Sequence, residues 1–146
     1  MAGAAPRLTE DMVRNAILTW YHGTNEHLPV EQIEPLLAPD VQMVYPNRPE
    51  PFLGRQAFRD WYADVLTKYF DETHAVESWK EIAIEDSQAT AVVVVRWEAR
   101  SWELGTARSE YRAHLSRQRF HLARRDDGRV EITAKIVETF DATVPI

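Results

Sequence analysis

The sequence predicts an α+β domain in which a bent, mainly antiparallel sheet wraps around N-terminal helices to make a cone. Three observations carry this expectation. Apolar residues before Phe70 recur with a helical period, whereas the rest of the chain reads as long β runs. One of those runs, Ala89–Glu103, is fifteen residues long. At ~3.3 Å per residue it would span about 50 Å if straight, so in a small domain it must bend, as strands do at bulges. A bent sheet has a concave side, and three apolar helical faces are available to fill it. A cavity is expected where helix and sheet fail to meet.

The opening MAGAAPRLTED lacks an apolar signal core, and residues 1–8 read as a flexible lead-in. Thr9 is suited to cap a first helix, Glu10 to His22, with Leu8 stapled onto Val13 across the cap. Val13, Ala16, Ile17, Trp20 and Tyr21 form its inward face, and Gly23 is the expected stop. A second helical stretch lies within Val30–Leu37, with Ile33, Leu36 and Leu37 inward. Pro35 lacks an amide hydrogen and crowds the preceding turn, which predicts a kink or restart at Glu34–Pro35. A short β run, Val41–Tyr45, and a proline-rich crossing lead to Gly54, which opens the third helix. That helix runs from Arg55 to about Phe70, with Phe58, Trp61, Tyr62 and Val65 on one face. Strands follow at about Thr73–Glu85, Ala89–Glu103, Arg108–Arg125 and Arg129–Asp141, the last after an Asp126-Asp127-Gly128 hairpin turn.

At 146 residues the chain is read as one domain, 1–146. A chain of this size can bury roughly 70% of the surface its unfolded form exposes. The net charge of −6, without a basic run, argues against nucleic acid as a partner. There is no cysteine, hence no disulfide and no thiolate site. No apolar run approaches the ~20 residues of a membrane span, so a cytoplasmic protein without a membrane partner is expected. The histidines lack ligand spacing: His22 and His27 are separated across Gly23, and His114 and His121 fall on opposite strand faces. Neither a metal nor a cofactor is expected, and no phosphate loop or serine elbow is present.

The segments LLAPDVQMVYP, GRQAFRDWY, THAVESWKEIAIEDSQATAVVVV and DDGRVEITAKIVETFD carry a family resemblance spanning about Thr9 to Asp141. Their pattern resembles the nuclear transport factor 2-like superfamily, especially its SnoaL-like, polyketide-cyclase branch. The resemblance implies a helix-lined pocket for a small-molecule substrate or ligand, and a homodimer. In ketosteroid isomerases the general-base carboxylate lies just before the proline of the first strand, where this chain has Tyr45. Their oxyanion tyrosine falls at or near Tyr21 and their neutral aspartic acid near Gln118, so that isomerisation lacks both acids here. THAVES is similar to the strand that presents a pocket histidine in scytalone-dehydratase-like proteins, which implies His74. In the epoxide hydrolase and cyclase branches the end of the last strand carries a catalytic carboxylate, and Glu138 and Asp141 are the local candidates.

Residue chemistry orders these candidates. An imidazole takes or gives a proton near neutral pH, so His74 comes first; its plainer reading is a hydrogen-bonded structural histidine. Tyr45 and Tyr21 could donate to a developing oxyanion, although Tyr21 sits on a core-facing helix face. Strand alternation puts Ala91, Val93, Val95, Trp97 and Ala99 toward the cavity, and Val92, Val94, Arg96, Glu98, Arg100 and Trp102 on an outer or dimer face. His114, Gln118 and Phe120 share the inward parity of the next strand, opposite Arg117, Arg119 and His121. Trp20, Trp61 and Trp97 are expected to shape the walls. Glu138 and Asp141 have opposite parity, so only one faces the cavity unless the strand ends between them; either could equally be a surface acid. The function expected is a cofactor-independent enzyme of cyclase, dehydratase or isomerase type acting on an apolar oxygenated substrate of polyketide or terpenoid size. The alternative is a non-catalytic ligand-binding or dimerisation module of the same fold.

Overall fold

The computed structural model describes residues 7–143 and has three α-helices and seven strands. The first six residues of the expected lead-in lie outside the described residues. Leu8, assigned to the same lead-in, is buried, and its amide donates to Asp86 O at 2.8 Å. Helix α1 is Glu10–Asn25, capped by the Thr9 hydroxyl, which accepts from Met12 N at 3.2 Å. Glu10 and Asp11 stand at its positive end. The helix runs through Gly23 rather than stopping there. A side chain at that position would put its Cβ 3.1 Å from Ile33 Cγ1, so the glycine serves close packing against the next helix. The terminating left-handed residue is His27, with φ of 50°. Helix α2, Val30–Ile33, passes into a 3₁₀ turn at Glu34–Leu36, which is the interruption that Pro35 predicts. Helix α3 is Gly54–Lys68.

The strands are β1 Leu37–Val44, β2 Phe52–Leu53, β3 Tyr69–Glu85, β4 Gln88–Ser101, β5 Glu110–Arg124, β6 Val130–Val137 and β7 Asp141–Ala142. They form one sheet in the order β2-β1-β6-β5-β4-β3, with β7 on the free part of β5. β1 and β6 are parallel and the other pairs antiparallel. β3 shifts register against β4 between Phe70 and Thr73, Val76 and Ser78, and Trp79 and Glu81. Each shift adds residues to one strand only, which bends it and curls the sheet around the helices. The result is the α+β cone.

The concave face of β4 is Ala89, Ala91, Val93, Val95, Trp97 and Ala99, all buried, as alternation predicts. Ala89, Ala91, Val93 and Val95 form one core cluster with Trp20, Tyr21, Phe58 and Tyr62 from the helices. Each large side chain of this kind contributes about 2–3 kcal/mol when fully buried. The last long strand departs from expectation. It ends at Val137; the chain steps outward through Glu138 and Thr139 and pairs again as β7. The step is held by Glu138 N donating to Arg117 O at 2.8 Å and Ser116 Oγ donating to Thr139 O at 2.8 Å.

Candidate active site

A cavity of about 550 Å³ opens between α3, the end of β1 and the concave face of the sheet. Its walls are aromatic: Trp20, Tyr45, Trp61, Tyr62, Trp97 and Phe140. Tyr45 stacks on Trp61 with ring centroids 5.3 Å apart, and Tyr69 meets Trp97 edge-on at 5.3 Å. Polar side chains share the lining: Glu72, His74, Gln118 and Lys135, together with Thr24, Asn47, Arg48, Asp64 and Lys68.

His74 lines the cavity, on β3 beside Trp97 of β4. Its Nδ1 is 2.6 Å from Asn25 Oδ1, and its ring stacks on Tyr21 at 5.0 Å. An amide oxygen can only accept, so this bond puts the imidazole proton on Nδ1 and leaves a lone pair on Nε2. Burial, reinforced by the charge of Lys135, pushes the His74 pKa down to about 3. At neutral pH the ring is therefore uncharged.

Glu72 reaches the site through a bulge. Between Phe70 and Thr73, β3 advances three residues while β4 advances two, and Asp71 adopts a φ of 52°. Aspartate tolerates that left-handed conformation better than most residues. The extra residue turns the Glu72 carboxylate inward, where it accepts from Trp97 Nε1 at 2.8 Å and lies 2.8 Å from His27 Nε2. Glu72 precedes the strand expected from Thr73, and the bulge that turns it inward leaves no mark in the alternation.

Lys135 is 4% exposed and projects from β6 between Met43 of β1 and Phe120 of β5. Its Nζ is 3.5 Å from the Tyr45 hydroxyl and faces the rings of Trp20 and Tyr45 at 5.3 and 5.4 Å. Burial lowers its pKa to about 8, against the partial opposition of Glu72. Burial and Glu72 together raise that of Tyr45, which stays a neutral phenol. Strand alternation groups Lys135 with Glu131, Thr133 and Val137; the register shift between Ile132 and Ala134 against β5 is what brings it to the buried side.

The remaining expected site residues divide by position. Trp20, Trp61, Trp97, Tyr45, Gln118 and His74 line the cavity. Tyr21 and Phe120 do not; they lie one layer behind it, packed edge to face at 5.9 Å. The Tyr21 hydroxyl is spent on Gln118 Oε1 at 2.6 Å, and burial raises its pKa well above the ordinary phenol value. His114 is covered by Phe140, its ring stacked at 4.1 Å. Neither acid of the last strand lines the cavity; both take the surface alternative. Glu138 pairs with Arg117 at 3.2 Å and Arg119 at 3.7 Å, side chains on the outer parity of the sheet, and Asp141 is exposed on β7. Because β6 ends before them, the side chain delivered to the cavity is Phe140 instead. Among the described residues no group of three or more His, Cys, Asp or Glu side chains is placed to hold a metal. No helix among them is long and apolar enough to cross a membrane.

Comparison with known proteins agrees with this architecture. A search of curated proteins found no significant match. Solved structures match at low identity. One is a nuclear transport factor 2-like superfamily protein from Salmonella enterica, with TM-score 0.75, 11% identity and coverage of 93% of each chain. Another is the type-3 hexachlorocyclohexane dehydrochlorinase of Novosphingobium barchaimii, with TM-score 0.74, 11% identity, and 93% of this chain and 90% of that one covered. A third is a ketosteroid isomerase-like protein from Erwinia carotovora, with TM-score 0.69, 15% identity, and 94% of this chain and all of that one covered. Likeness at these identities shows the fold. The family profile of the SnoaL-like domain matches residues 17–133, well over half of the sequence, and the chain belongs to that family.

Proposed function

We propose that the protein is a cofactor-independent enzyme of cyclase, dehydratase or isomerase type, moving a proton on an apolar small molecule that carries a carbonyl or related oxygen. The observation that carries this reading is the joint placement of an uncharged His74 and a buried Lys135 in one aromatic cavity. Lys135 and the Tyr45 hydroxyl supply donors for a substrate oxygen on which negative charge develops. His74 Nε2 offers a lone pair to an acidified C–H. The aromatic walls exclude water and orient the ring system. Relatives of this fold include proteins described as a dehydrochlorinase and as ketosteroid isomerase-like, whose chemistry also suits such a site.

One observation favours the second reading, a non-catalytic binder. The partner of His74 is the amide of Asn25, which does not stabilise an imidazolium as a carboxylate would. Deuterium exchange at the enolisable carbon of 2-tetralone in heavy water separates the two. Exchange accelerated by the wild-type protein and reduced about 10²–10⁴-fold by His74→Gln is the expected result. Quenching of tryptophan fluorescence by 2-tetralone with no exchange above buffer would establish the binder instead.

We further propose that two copies pair through the convex sheet face. It displays charges of both signs, including the Arg96–Glu98 pair at 2.9 Å, beside Trp102, which is 45% exposed. A twofold axis through such a face can set opposite charges against each other while covering the indole. Sedimentation should give a dimer at micromolar concentration and a monomer for Trp102→Glu; a wild-type monomer would refute the pairing.

A further inference from the structure

We infer that Lys135 is a nucleophile that holds an aldehyde or ketone ligand as an imine on its Nζ. This rests on the reading of the cavity as a site for a carbonyl compound and adds a covalent step to it. The residue is 4% exposed and its side chain lines the cavity. A molecule must therefore enter the cavity to reach the amine. Lys135 makes none of the ion pairs within 4.0 Å found among the described residues, so no carboxylate ties it down. Its near neighbours are the Tyr45 hydroxyl at 3.5 Å and the faces of Trp20 and Tyr45. The Glu72 carboxylate, 8% exposed on its side chain, shares the cavity with Arg48 and with the Lys68–Asp64 pair. A neutral carbonyl compound suits both the amine and the aromatic walls.

The step balances without a co-reactant. The amine lone pair attacks the carbonyl carbon, and the C–O π pair moves onto oxygen. Nitrogen loses a proton and oxygen gains one, giving the carbinolamine. The nitrogen lone pair then expels that oxygen as water, and the C=N bond forms. Tyr45, within reach of Nζ, relays the proton from nitrogen to the departing oxygen. A desolvated lysine in an apolar pocket is activated for this attack because a fraction of it is neutral near pH 7. The groups that face it are Glu72 and His74 from β3 and Tyr45 from the end of β1; burial outweighs Glu72 and sets its pKa at about 8. Once the imine nitrogen takes up a proton from solvent, it draws electrons from the adjacent carbon, whose proton His74 Nε2 accepts.

The chain has three lysines, Lys68, Lys80 and Lys135, which makes the test internal. Lys80 is exposed outside the cavity lining, and Lys68 is exposed in that lining but paired with Asp64 at 2.8 Å. The protein is incubated with trans-cinnamaldehyde and sodium cyanoborohydride, then mapped by peptide mass spectrometry. The expected result is an adduct on Lys135 forming at least about tenfold faster than on either exposed lysine, with a rate that rises through pH 8. Equal labelling of the three would overturn the inference. Cinnamyl alcohol, which lacks the carbonyl, reports occupancy through tryptophan fluorescence. Binding of the alcohol without reduction onto Lys135 would sink the imine and leave the cavity a ligand site. Failure of both would sink the imine and the reading beneath it. Lys135→Arg keeps the charge and removes the nucleophile, so it should bind the alcohol and lose the adduct. If that variant does not fold, the contrast among wild-type lysines still decides.

Discussion

Lys135→Met is expected to stabilise the protein at pH 7 while removing the amine from the cavity. Burial holds the amine at about 8, below its ordinary 10.5. That gap corresponds to about 3 kcal/mol against the charged form in the fold. The lost packing over Trp20 and Tyr45 offsets about 1 kcal/mol. A net gain of about 2 kcal/mol should raise the melting temperature by about 5 °C in a chain of this size. The sign follows from proton counts. Between pH 8 and 10.5 the unfolded chain binds more protons at this site than the native one, so wild-type stability rises with pH across that window. The advantage of Lys135→Met should therefore be full below pH 8 and fade toward pH 10.5. Urea unfolding at pH 7, 9 and 10.5 checks this. A variant less stable than wild type at pH 7 would show that Lys135 is paired more favourably than its surroundings indicate.

Asn25→Asp should convert His74 from an uncharged ring to one that titrates in reach of neutral pH. In the wild type its pKa of about 3 lies below the ordinary 6.5. The native state thus binds fewer protons than the unfolded chain between those values. The associated stability is complete above pH 6.5 and is lost as pH falls, by about 5 kcal/mol at pH 3. A carboxylate in place of the amide oxygen, 2.6 Å from Nδ1, should favour the imidazolium by roughly 10–1,000-fold. About 1–4 kcal/mol of the acid loss should be recovered. Carbon-13 NMR of the His74 ring should show no titration above pH 5 in the wild type and a midpoint between pH 4 and 6 in the variant. Proton exchange into 2-tetralone should also accelerate, since a base is stronger when its conjugate acid is stabilised. A wild-type His74 that already titrates near pH 6.5 would refute the account.

Much of the architecture was legible along the chain. Helical periodicity placed Trp20 and Trp61, and strand alternation placed Trp97 and Gln118, on surfaces that face the cavity. Those are local patterns, because the side-chain direction of each residue follows from its neighbours a few positions away. His74 was placed through its motif, and the structure puts it in the wall. Tyr21 takes its core alternative, since the sequence does not say which residues of a core-facing helix face sit one layer behind a void. For Glu138 and Asp141 the surface alternative holds, because β6 ends at Val137 and strand alternation no longer fixes where the following side chains point.

By itself the sequence determined the α+β order of elements, the apolar faces and the aromatic character of the walls, since each depends on spacing of a few residues. The tertiary structure decided which polar groups meet. Gly23 lets α1 lie against Ile33 and continue to Asn25, which then reaches His74. A single extra residue near Asp71 turns Glu72 inward, and the break after Val137 brings Phe140 over the sheet. The protonation of His74 and Lys135 was decided there as well, because it follows from the water that distant parts of the chain exclude when they close around these side chains.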